Sequence, residues 1–421
     1  MKAKKDHLLG VPFDYQSTEA RSQTPPTALE KALMRLILKS LGDPEIKVVL
    51  WDGEALDPVA DAPVMVLHER AALWRLLIYP TLHFGDDYSA GRIEIQGGLE
   101  QFLERFYAAY RRMPKAMASL EQLLVRYQHL RGNPQGRARD NIYHHYDIGN
   151  DFYRLWLDEE MVYTCAYYAP GVTTLEAAQQ AKMEHVCRKL RLKPGETVVD
   201  AGCGWGALAR YMARHYGVRV RAFNVSREQV AYAREQARAE GLEGRVEYVE
   251  DDYRNISGRY DAFVSVGMLE HVGAKHYREL GGIIDRSLGD NGRGLIHSIG
   301  QNRSLPTSTW TQRRIFPGGY PPTLCEMTDI FSPYDFSVID VENLRPHYAQ
   351  TLRDWLTRFE SHRDEVRNMY DDSFVRAWRL YLTGSIANFT FGYLQLYQVL
   401  FTRSTNNTFP ATRDDIYHGK A

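Results

Sequence analysis

The chain has 421 residues, enough for two or three domains, and its formal net charge is −1. Hydrophobic residues make up 44% and charged residues 25%, which is typical of globular proteins and excludes a disordered, collagen-like or coiled-coil chain. A neutral chain lacks the positive field that favours nucleic-acid binding, so we expect no nucleic-acid partner. The four cysteines are widely spaced, which predicts no disulfide framework, no metal site and a reducing cytoplasm.

No segment has the pattern of an export signal or a membrane span. The opening sequence MKAKKDHLLGVPFDYQ is basic but lacks an apolar run. Near the end, residues 386–401 are the most apolar stretch, but polar residues such as Asn388 and Gln395 interrupt it, so we predict a packed helix there. Any membrane contact is therefore expected to be peripheral.

The N-terminal residues 1–130 are predicted to form a small α+β domain. A helical pattern covers residues 28–41, and short alternating segments follow in IKVVLWDG and RIEIQGG. Two more helical patterns follow, one with Leu99, Phe102 and Tyr110 on its apolar face and one with Met117 and Tyr127. The Gly- and Pro-containing stretch RGNPQGRARDN, residues 131–141, is predicted to be a linker.

Residues 142–421 are predicted to form an α/β domain with a doubly wound, mostly parallel sheet. Strand patterns in TVVDAG, VRVRAFNVS, VEYVEDD, YDAFVSVG and GLIHSIG alternate with helical patterns that begin near Ala207, Arg227 and Lys275. In such a sheet the ligand site lies at the carboxyl ends of the strands.

A glycine-rich loop follows the first of these strands, in the sequence Val198-Val199-Asp200-Ala201-Gly202-Cys203-Gly204-Trp205-Gly206. Glycines let backbone amides approach a ligand, and the acid at the strand end can accept a hydrogen bond from an ammonium or hydroxyl group. The spacing is G-x-G-x-G, whereas a dinucleotide site needs G-x-G-x-x-G and an acid about 20 residues later. The loop resembles motif I of class I S-adenosylmethionine methyltransferases.

Five further segments occur in an order that strengthens this interpretation: HHYDIGNDFYRLWLDEEMVYTCAYY (144–168), NVSREQ (224–229), SVGMLEHVG (265–273), LIHSIG (295–300) and PHYAQTLRDW (346–355). Together with the glycine loop they resemble the cyclopropane fatty acid synthase family, including the mycolic acid cyclopropane synthases. The resemblance runs from about Tyr143 to Phe401. The segment FGDDYSAGRIEIQGGLEQF is similar to the extra domain of the bacterial members that act on phospholipids.

The resemblance implies a catalytic site that holds a bicarbonate ion as the base. The matching residues are Cys165, Glu270, His297, the backbone amide of Ile299, and Tyr348. Tyr and Cys donate hydrogen bonds, whereas His and Glu can orient the anion and its proton. Each of these residues alone would be read as an ordinary buried or capping side chain, and their joint occurrence favours the functional interpretation.

The resemblance also implies the residues that bind S-adenosylmethionine: Tyr163, Thr164, Asp200, Gly202, Gly204, Asn224, Gln229, Asp252 and Tyr253. The two glycines would contact the methionine portion, Asn224 and Gln229 the carboxylate or ribose side, and the Asp-Tyr pair the adenine. The family usually has Thr-Leu-Ser where this chain has Asn224-Val225-Ser226, so this chain departs from the family pattern at the expected ribose contacts.

The predicted enzyme transfers a methylene unit from S-adenosylmethionine to the cis double bond of an unsaturated acyl chain of a membrane phospholipid, which gives a cyclopropane ring. One alternative is a fatty acyl methyltransferase that gives a methylene- or methyl-branched chain. A second alternative is a non-catalytic lipid-binding protein. Helices at the C-terminus would cover the acyl channel, and a homodimer is implied by the resemblance.

A basic segment in the N-terminal domain suggests how such an enzyme would reach its lipid. From Arg105 to Arg139 there are eight cations and one anion, Glu121, which leaves a charge of +7. Together with Phe102, Phe106 and Tyr110, this segment predicts docking on the anionic inner face of the membrane. The competing interpretation is a solvated basic face or one paired with acidic residues elsewhere.

Overall fold

A computed structural model describes residues 24–57, 59–112 and 148–418. The chain divides into two compact units. The first comprises Met1–Leu124, Pro306–Pro317 and Leu352–Gly392, and the second comprises Val125–Leu305, Gly318–Thr351 and Tyr393–Ala421. The predicted linker, 131–141, lies outside the described residues.

The described N-terminal elements are α1 (Ala28–Ser40), β1 (Lys47–Val49), β2 (Val64–Leu67), α2 (Arg70–Ile78), α3 (Pro80–Ser89), β3 (Ile93–Gln96) and α4 (Leu99–Tyr110). Helix α1 begins with a capping box, because Thr27 accepts from the backbone of Glu30 and the Glu30 carboxylate accepts from the backbone of Thr27. The three strands form one sheet in the order β1-β2-β3. The predicted α+β character of this region, including the helix near 28–41, is therefore confirmed.

The described elements of the middle of the chain are α5 (Asn150–Arg154), α6 (Leu175–Leu190), β4 (Thr197–Ala201), α7 (Ala207–Tyr216), β5 (Arg219–Asn224), α8 (Arg227–Ala239), β6 (Val246–Glu250), β7 (Tyr260–Val266), α9 (Leu269–Val272), α10 (Tyr277–Ser287), β8 (Leu288–Gly300), α11 (Leu324–Phe331) and β9 (Phe336–Asn343). Single turns of 3₁₀ helix lie at Tyr253–Asn255 and Ala274–His276, and a π-helical turn lies at Thr311–Ile315. The remaining elements are α12 (Arg345–Ser361), α13 (Arg363–Met369), α14 (Asp372–Thr390), β10 (Gln395–Arg403) and α15 (Asp414–His418).

The second unit is built on a seven-stranded sheet with the order β6-β5-β4-β7-β8-β10-β9. Strands β4 to β8 pair in parallel, and β10 runs antiparallel to both β8 and β9. Both faces of the sheet are buried, since Val198 and Val264 belong to one apolar core and Val199 and Phe263 to another. The predicted doubly wound, mostly parallel sheet is confirmed.

The C-terminal part of the chain differs from expectation in two respects. Residues 386–401 do not form one packed helix: α14 ends at Thr390, and β10 begins at Gln395. Because β10 lies inside the sheet, its residues up to Thr402 are all buried, so the strand shows no polar alternation by which it could be told from a helix. In addition, Leu352–Gly392 belongs to the first unit rather than to the predicted domain 142–421, because α14 packs against α3 and α4.

Only part of the predicted basic segment is described, and its described cations already have partners. Arg105 donates to the backbone oxygen of Glu45 at 2.9 Å, and Arg112 lies 4.0 Å from the Glu45 carboxylate. Arg111 donates to the backbone oxygen of Phe391 at 2.7 Å. The remaining cations of the basic segment lie in residues 113–147, outside the described part of the chain. Among the described helices, none is both long enough and apolar enough to cross a membrane.

Candidate active site

The predicted site residues lie where parallel strands end. Asp200 and the glycine loop belong to the end of β4, Asn224 ends β5, Glu270 follows β7, and His297 lies near the end of β8. The ends of β7 and β8 are tied together, because the Gly267 amide donates to the backbone oxygen of His297 at 2.9 Å. The carboxyl edge of the sheet therefore collects these side chains, as expected for a doubly wound fold.

The three glycines of the loop are not equivalent: two are required by close packing and one faces open space. A Cβ on Gly202 would lie 2.9 Å from Cβ of Met268, and one on Gly206 would lie 2.5 Å from Oη of Tyr248, so both glycines are needed for packing. A Cβ on Gly204, in contrast, would meet no atom of the described chain within 4 Å. Gly204 therefore lines open space that a ligand can occupy.

A polar cluster lies beside Gly204. The Asn224 side chain donates to the backbone oxygen of Gly204 at 3.1 Å and to Oε1 of Gln229 at 2.7 Å. Gln229 is buried, and its Nε2 has no hydrogen-bond partner among the described residues. The structure thus brings Gly204, Asn224 and Gln229 together and leaves one buried donor for a ligand.

The acid of the loop is buried and lacks a complete set of partners. Asp200 is 1% exposed, and its Oδ2 accepts no hydrogen bond within the described chain. Burial raises the pKa of Asp200 to about 7, although the ammonium of Lys182 acts in the opposite direction. A carboxylate here would gain from a ligand that donates a hydrogen bond or carries positive charge.

Lys182 on α6 was not identified from the sequence. Its Nζ donates to Oγ1 of Thr164 at 3.0 Å, and burial lowers its pKa to about 8. One turn earlier, Gln179 donates to the backbone oxygens of Val162 and Thr164 at 3.3 Å and 2.8 Å. These two residues hold the segment that carries Tyr163, Thr164 and Cys165. In the sequence, Gln179 and Lys182 are only two polar residues three positions apart on one helical face, a pattern that is common on exposed helices and does not indicate a buried role.

Tyr163 lies in an aromatic cluster. Its ring centroid is 5.4 Å from that of Tyr153 and 5.3 Å from that of Trp156. Tyr153 in turn lies 5.1 Å from Trp205 of the glycine loop, and the Trp205 indole donates to Asn150 at 2.8 Å. The loop and the Tyr163 segment therefore share an apolar, aromatic wall.

The two residues predicted to bind adenine, Asp252 and Tyr253, differ in whether their polar atoms already have partners. Asp252 pairs with the Arg254 guanidinium at 2.9 Å and accepts from the Arg254 amide at 2.9 Å, so this carboxylate is largely satisfied within the chain. The hydroxyl of Tyr253 is buried and has no partner among the described residues. Of the two, Tyr253 has the polar atom available for a ligand.

Glu270, His297 and Ile299 lie together. Oε1 of Glu270 accepts from the Ile299 amide at 2.6 Å, and its Oε2 is buried without a partner in the described chain. Burial raises the pKa of Glu270 to about 7, although hydrogen bonds from its own backbone amide and from that of Ile299 oppose this shift. His297 is 1% exposed, its Nε2 also lacks a described partner, and burial lowers its pKa well below the usual value.

The segments that carry Cys165 and Tyr348 are joined by a hydrogen bond. The amide of Ala166, next to Cys165, donates at 3.0 Å to Oγ1 of Thr351, which lies one turn after Tyr348 on α12. Cys165 is fully buried, and burial raises the pKa of its thiol, so the thiol stays protonated at neutral pH. Thr351, which positions this segment, was also missed in the sequence.

These features fit S-adenosylmethionine. Open space at Gly204 offers room for the ligand. Oδ2 of Asp200 and Nε2 of Gln229, which have no partner among the described residues, offer an acceptor and a donor. The aromatic wall around Tyr163 suits a sulfonium cation.

Comparison with known proteins identifies the class. The family model described as mycolic acid cyclopropane synthetase matches residues 134–399. A probable fatty acid methyltransferase of Pseudomonas putida is 33% identical over 90% of this chain and 98% of its own length. The cyclopropane-fatty-acyl-phospholipid synthase of Escherichia coli K12 is 40% identical over 62% of this chain and 68% of its own length. A crystal structure of a mycolic acid cyclopropane synthase with SAH and CTAB has a TM-score of 0.60 and 29% identity, and covers 63% of this chain and 98% of its own.

The sheet order, the glycine loop and these matches define a class I S-adenosylmethionine-dependent methyltransferase. Within that class, the chain belongs to the mycolic acid cyclopropane synthetase family, which includes cyclopropane synthases and fatty acid methyltransferases.

Proposed function

We propose that this enzyme transfers a methylene unit from S-adenosylmethionine to the cis double bond of an unsaturated acyl chain of a phospholipid and forms a cyclopropane ring. A bound bicarbonate ion serves as the general base. Two buried atoms without a partner in the described chain carry the proposal: Nε2 of His297, a donor or acceptor, and the acceptor Oε2 of Glu270. The Glu270 carboxylate accepts from the amide of Ile299, two residues after His297 on β8. A buried polar pair of this kind suits a small anion that carries a proton.

The chemistry demands a dry site. An isolated double bond is a weak nucleophile, so the donor must be held in line with it and the resulting carbocation kept from water. The C–S bond of the donor breaks as the new C–C bond forms. A C–H bond of the added methyl group then gives its proton to the base, and its electron pair closes the ring. The aromatic cluster around Tyr163 supplies faces that stabilise positive charge, by about 0.5–2 kcal/mol each.

Each catalytic residue has a role in this proposal. Glu270 and His297 orient the anion, and the hydroxyl of Tyr348 donates a hydrogen bond to it. The protonated thiol of Cys165 donates to the backbone oxygen of Ala166 at 3.1 Å, so it donates to the anion only after giving up that bond. The Ile299 amide already donates to Glu270, so it acts on the anion directly only if Glu270 moves and otherwise acts by fixing that carboxylate. Bicarbonate supplies the basic oxygen when it is bound.

The donor site is proposed from the same edge of the sheet. Gly202 shapes the loop, and Gly204 gives the methionine portion its space. Asp200 accepts from the donor's ammonium or a hydroxyl, and Asn224 and Gln229 bind its carboxylate or ribose. Tyr163 and Thr164 lie near the carboxylate, and Asp252 and Tyr253 flank the adenine. Because the Asp252 carboxylate is paired with Arg254, we propose that Asp252 shapes the adenine subsite rather than binding the adenine through its carboxylate.

A second candidate is a methyltransferase that leaves a methylene- or methyl-branched chain. It is favoured by the relative from Pseudomonas putida, a probable fatty acid methyltransferase that matches 90% of this chain, more than the cyclopropane synthase from Escherichia coli does. The two candidates share the donor and the first step, and they differ in which proton the carbocation loses. Membership in an enzyme family sets aside the non-catalytic lipid-binding alternative.

Lipid analysis of cells that express the protein tests the proposal. The wild type should give high-field cyclopropane protons in the NMR spectrum of extracted phospholipid, and Glu270→Gln should remove them. Glu235→Gln, an exposed residue of α8, is the matched control and should leave the product unchanged. Olefinic protons of an exocyclic methylene, or a methyl branch, would contradict the cyclopropane product and support the second candidate.

We further propose that the enzyme works at the inner face of the membrane as a cytoplasmic, peripherally bound homodimer. A double bond embedded in a bilayer cannot diffuse to the enzyme, so the enzyme must bind at the membrane surface. The dimer is carried over from the family resemblance. Sedimentation equilibrium tests the dimer, which requires twice the chain mass of 48.5 kDa.

A further inference from the structure

Three side chains lie in a row across neighbouring strands at the catalytic end of the sheet. Gln398 on β10 is directly opposite His297 on β8 and directly opposite Glu342 on β9. Directly opposed residues of antiparallel strands place their side chains on the same face. The imidazole, the amide and the carboxylate are therefore neighbours in one layer. His297 and Gln398 are almost completely buried, so water does not compete for their polar atoms.

The amide of Gln398 determines which ring nitrogen of His297 carries the proton. Its Nε2 lies 3.1 Å from Nδ1 of His297. In this orientation of the amide, its NH₂ group donates to Nδ1 and its Oε1 stays buried without a partner in the described chain. In a neutral imidazole the hydrogen then lies on Nε2. That Nε2 is the buried atom of His297 without a described partner.

Burial, helped by the surrounding charges, lowers the pKa of His297 and keeps the ring neutral, which is why its tautomer matters. Lys182, Lys189 and His185, all on α6, act against a positive charge on His297, and Glu342 on β9 favours one. The Glu342 carboxylate is already engaged, at 2.6 Å from both Nζ of Lys189 and Nε2 of His185. Burial and the lysines thus outweigh the one carboxylate.

We propose that Gln398 is a positioning residue that holds His297 as the neutral Nε2–H tautomer, so that His297 donates a hydrogen bond to the catalytic anion instead of accepting its proton. The inference rests on the proposed function for the identity of the anion, but the tautomer itself does not depend on it. As a consequence, Glu270 and not His297 is the protein group that accepts a proton from the anion.

The test uses the full-length protein labelled with ¹⁵N at histidine. Two-bond ¹H–¹⁵N spectra report which ring nitrogen is protonated, and the spectrum of His297→Gln identifies the His297 signals by their loss. The wild type should show protonated Nε2 and bare Nδ1. Gln398→Glu keeps the size of the side chain but replaces the donor by an acceptor, so Nδ1 should become protonated. In the Gln398→Glu variant, kcat should fall at least about 10-fold while the affinity for S-adenosylmethionine stays within about 2-fold of the wild-type value.

The control is Gln395→Glu on the same strand, three residues earlier and therefore on the opposite face. Gln395 accepts from Asn343 at 2.9 Å, a bond that glutamate preserves, so the His297 tautomer and kcat should remain those of the wild type. A wild-type His297 protonated at Nδ1 would overturn the proposal, as would Gln398→Glu with unchanged tautomer and kcat. If Gln398→Glu does not fold, the wild-type spectrum alone decides. A wild type that makes no cyclopropane would refute the proposed function and leave the tautomer result standing.

Discussion

Replacing Gly204 by alanine separates donor binding from folding more cleanly than any other change in the glycine loop. The backbone at Gly204 has φ +55°, and a Cβ there meets no described atom within 4 Å. The protein itself therefore has room for the methyl group. The proposed methionine portion of the donor does not, because the same space is assigned to it.

The cost to folding can be matched with a second glycine. A non-glycine residue in the left-handed region costs about 1–2 kcal/mol. Gly241, after helix α8, has φ +68° and also has no atom within 4 Å of an added Cβ. Both alanine variants should therefore lower the melting temperature equally, by about 2–4 °C for each kcal/mol in a domain of 150–250 residues.

Calorimetric titration with S-adenosylmethionine is the deciding assay. Gly204→Ala should weaken donor binding at least about 10-fold, which corresponds to about 1.4 kcal/mol, while Gly241→Ala binds like the wild type. Donor affinity that is unchanged in Gly204→Ala would refute the assignment of this space. Equal loss in both variants would show that the effect comes from folding.

Three further results are expected. His297→Gln should lower kcat about 10²-fold with nearly unchanged donor affinity, and normal turnover would remove it from the catalytic site. Because burial raises the pKa of Asp200 to about 7, the donor-free protein loses stability as pH rises from about 4 to 7. In urea unfolding Asp200→Asn should flatten this loss, by at most about 2.7 kcal/mol between pH 5 and 7, and parallel pH profiles would contradict the shift. Replacing Arg111, Arg112 and Lys115 by Gln should weaken binding to anionic vesicles, measured by co-sedimentation at low salt, by at most about 10²-fold. This limit allows about 1 kcal/mol for each cation, and Arg111 and Arg112 also have partners within the chain. Equal sedimentation at all salt concentrations would indicate an ordinary basic face.

Features that depend on neighbouring residues could be predicted from the sequence alone. Helix α1 follows from its capping box and its apolar period, and the strands β4 to β8 follow from short apolar runs that alternate with helical patterns. The glycine loop at the end of β4 could be predicted because strand, acid and glycines are contiguous. The ordered motifs likewise identified the family.

Features that depend on residues far apart in the chain became visible only in the folded protein. Gln398 lies beside His297 only because β10 enters the sheet between β8 and β9, and a strand buried on both faces has no polar alternation to reveal it. Lys182 is buried and donates a hydrogen bond to Thr164, whereas most lysines are solvated. Gly202 is required for packing and Gly204 faces open space, although their sequence contexts are alike. In each case the environment comes from another element, and burial in it changes hydrogen bonding, available space and pKa in ways that local sequence cannot express.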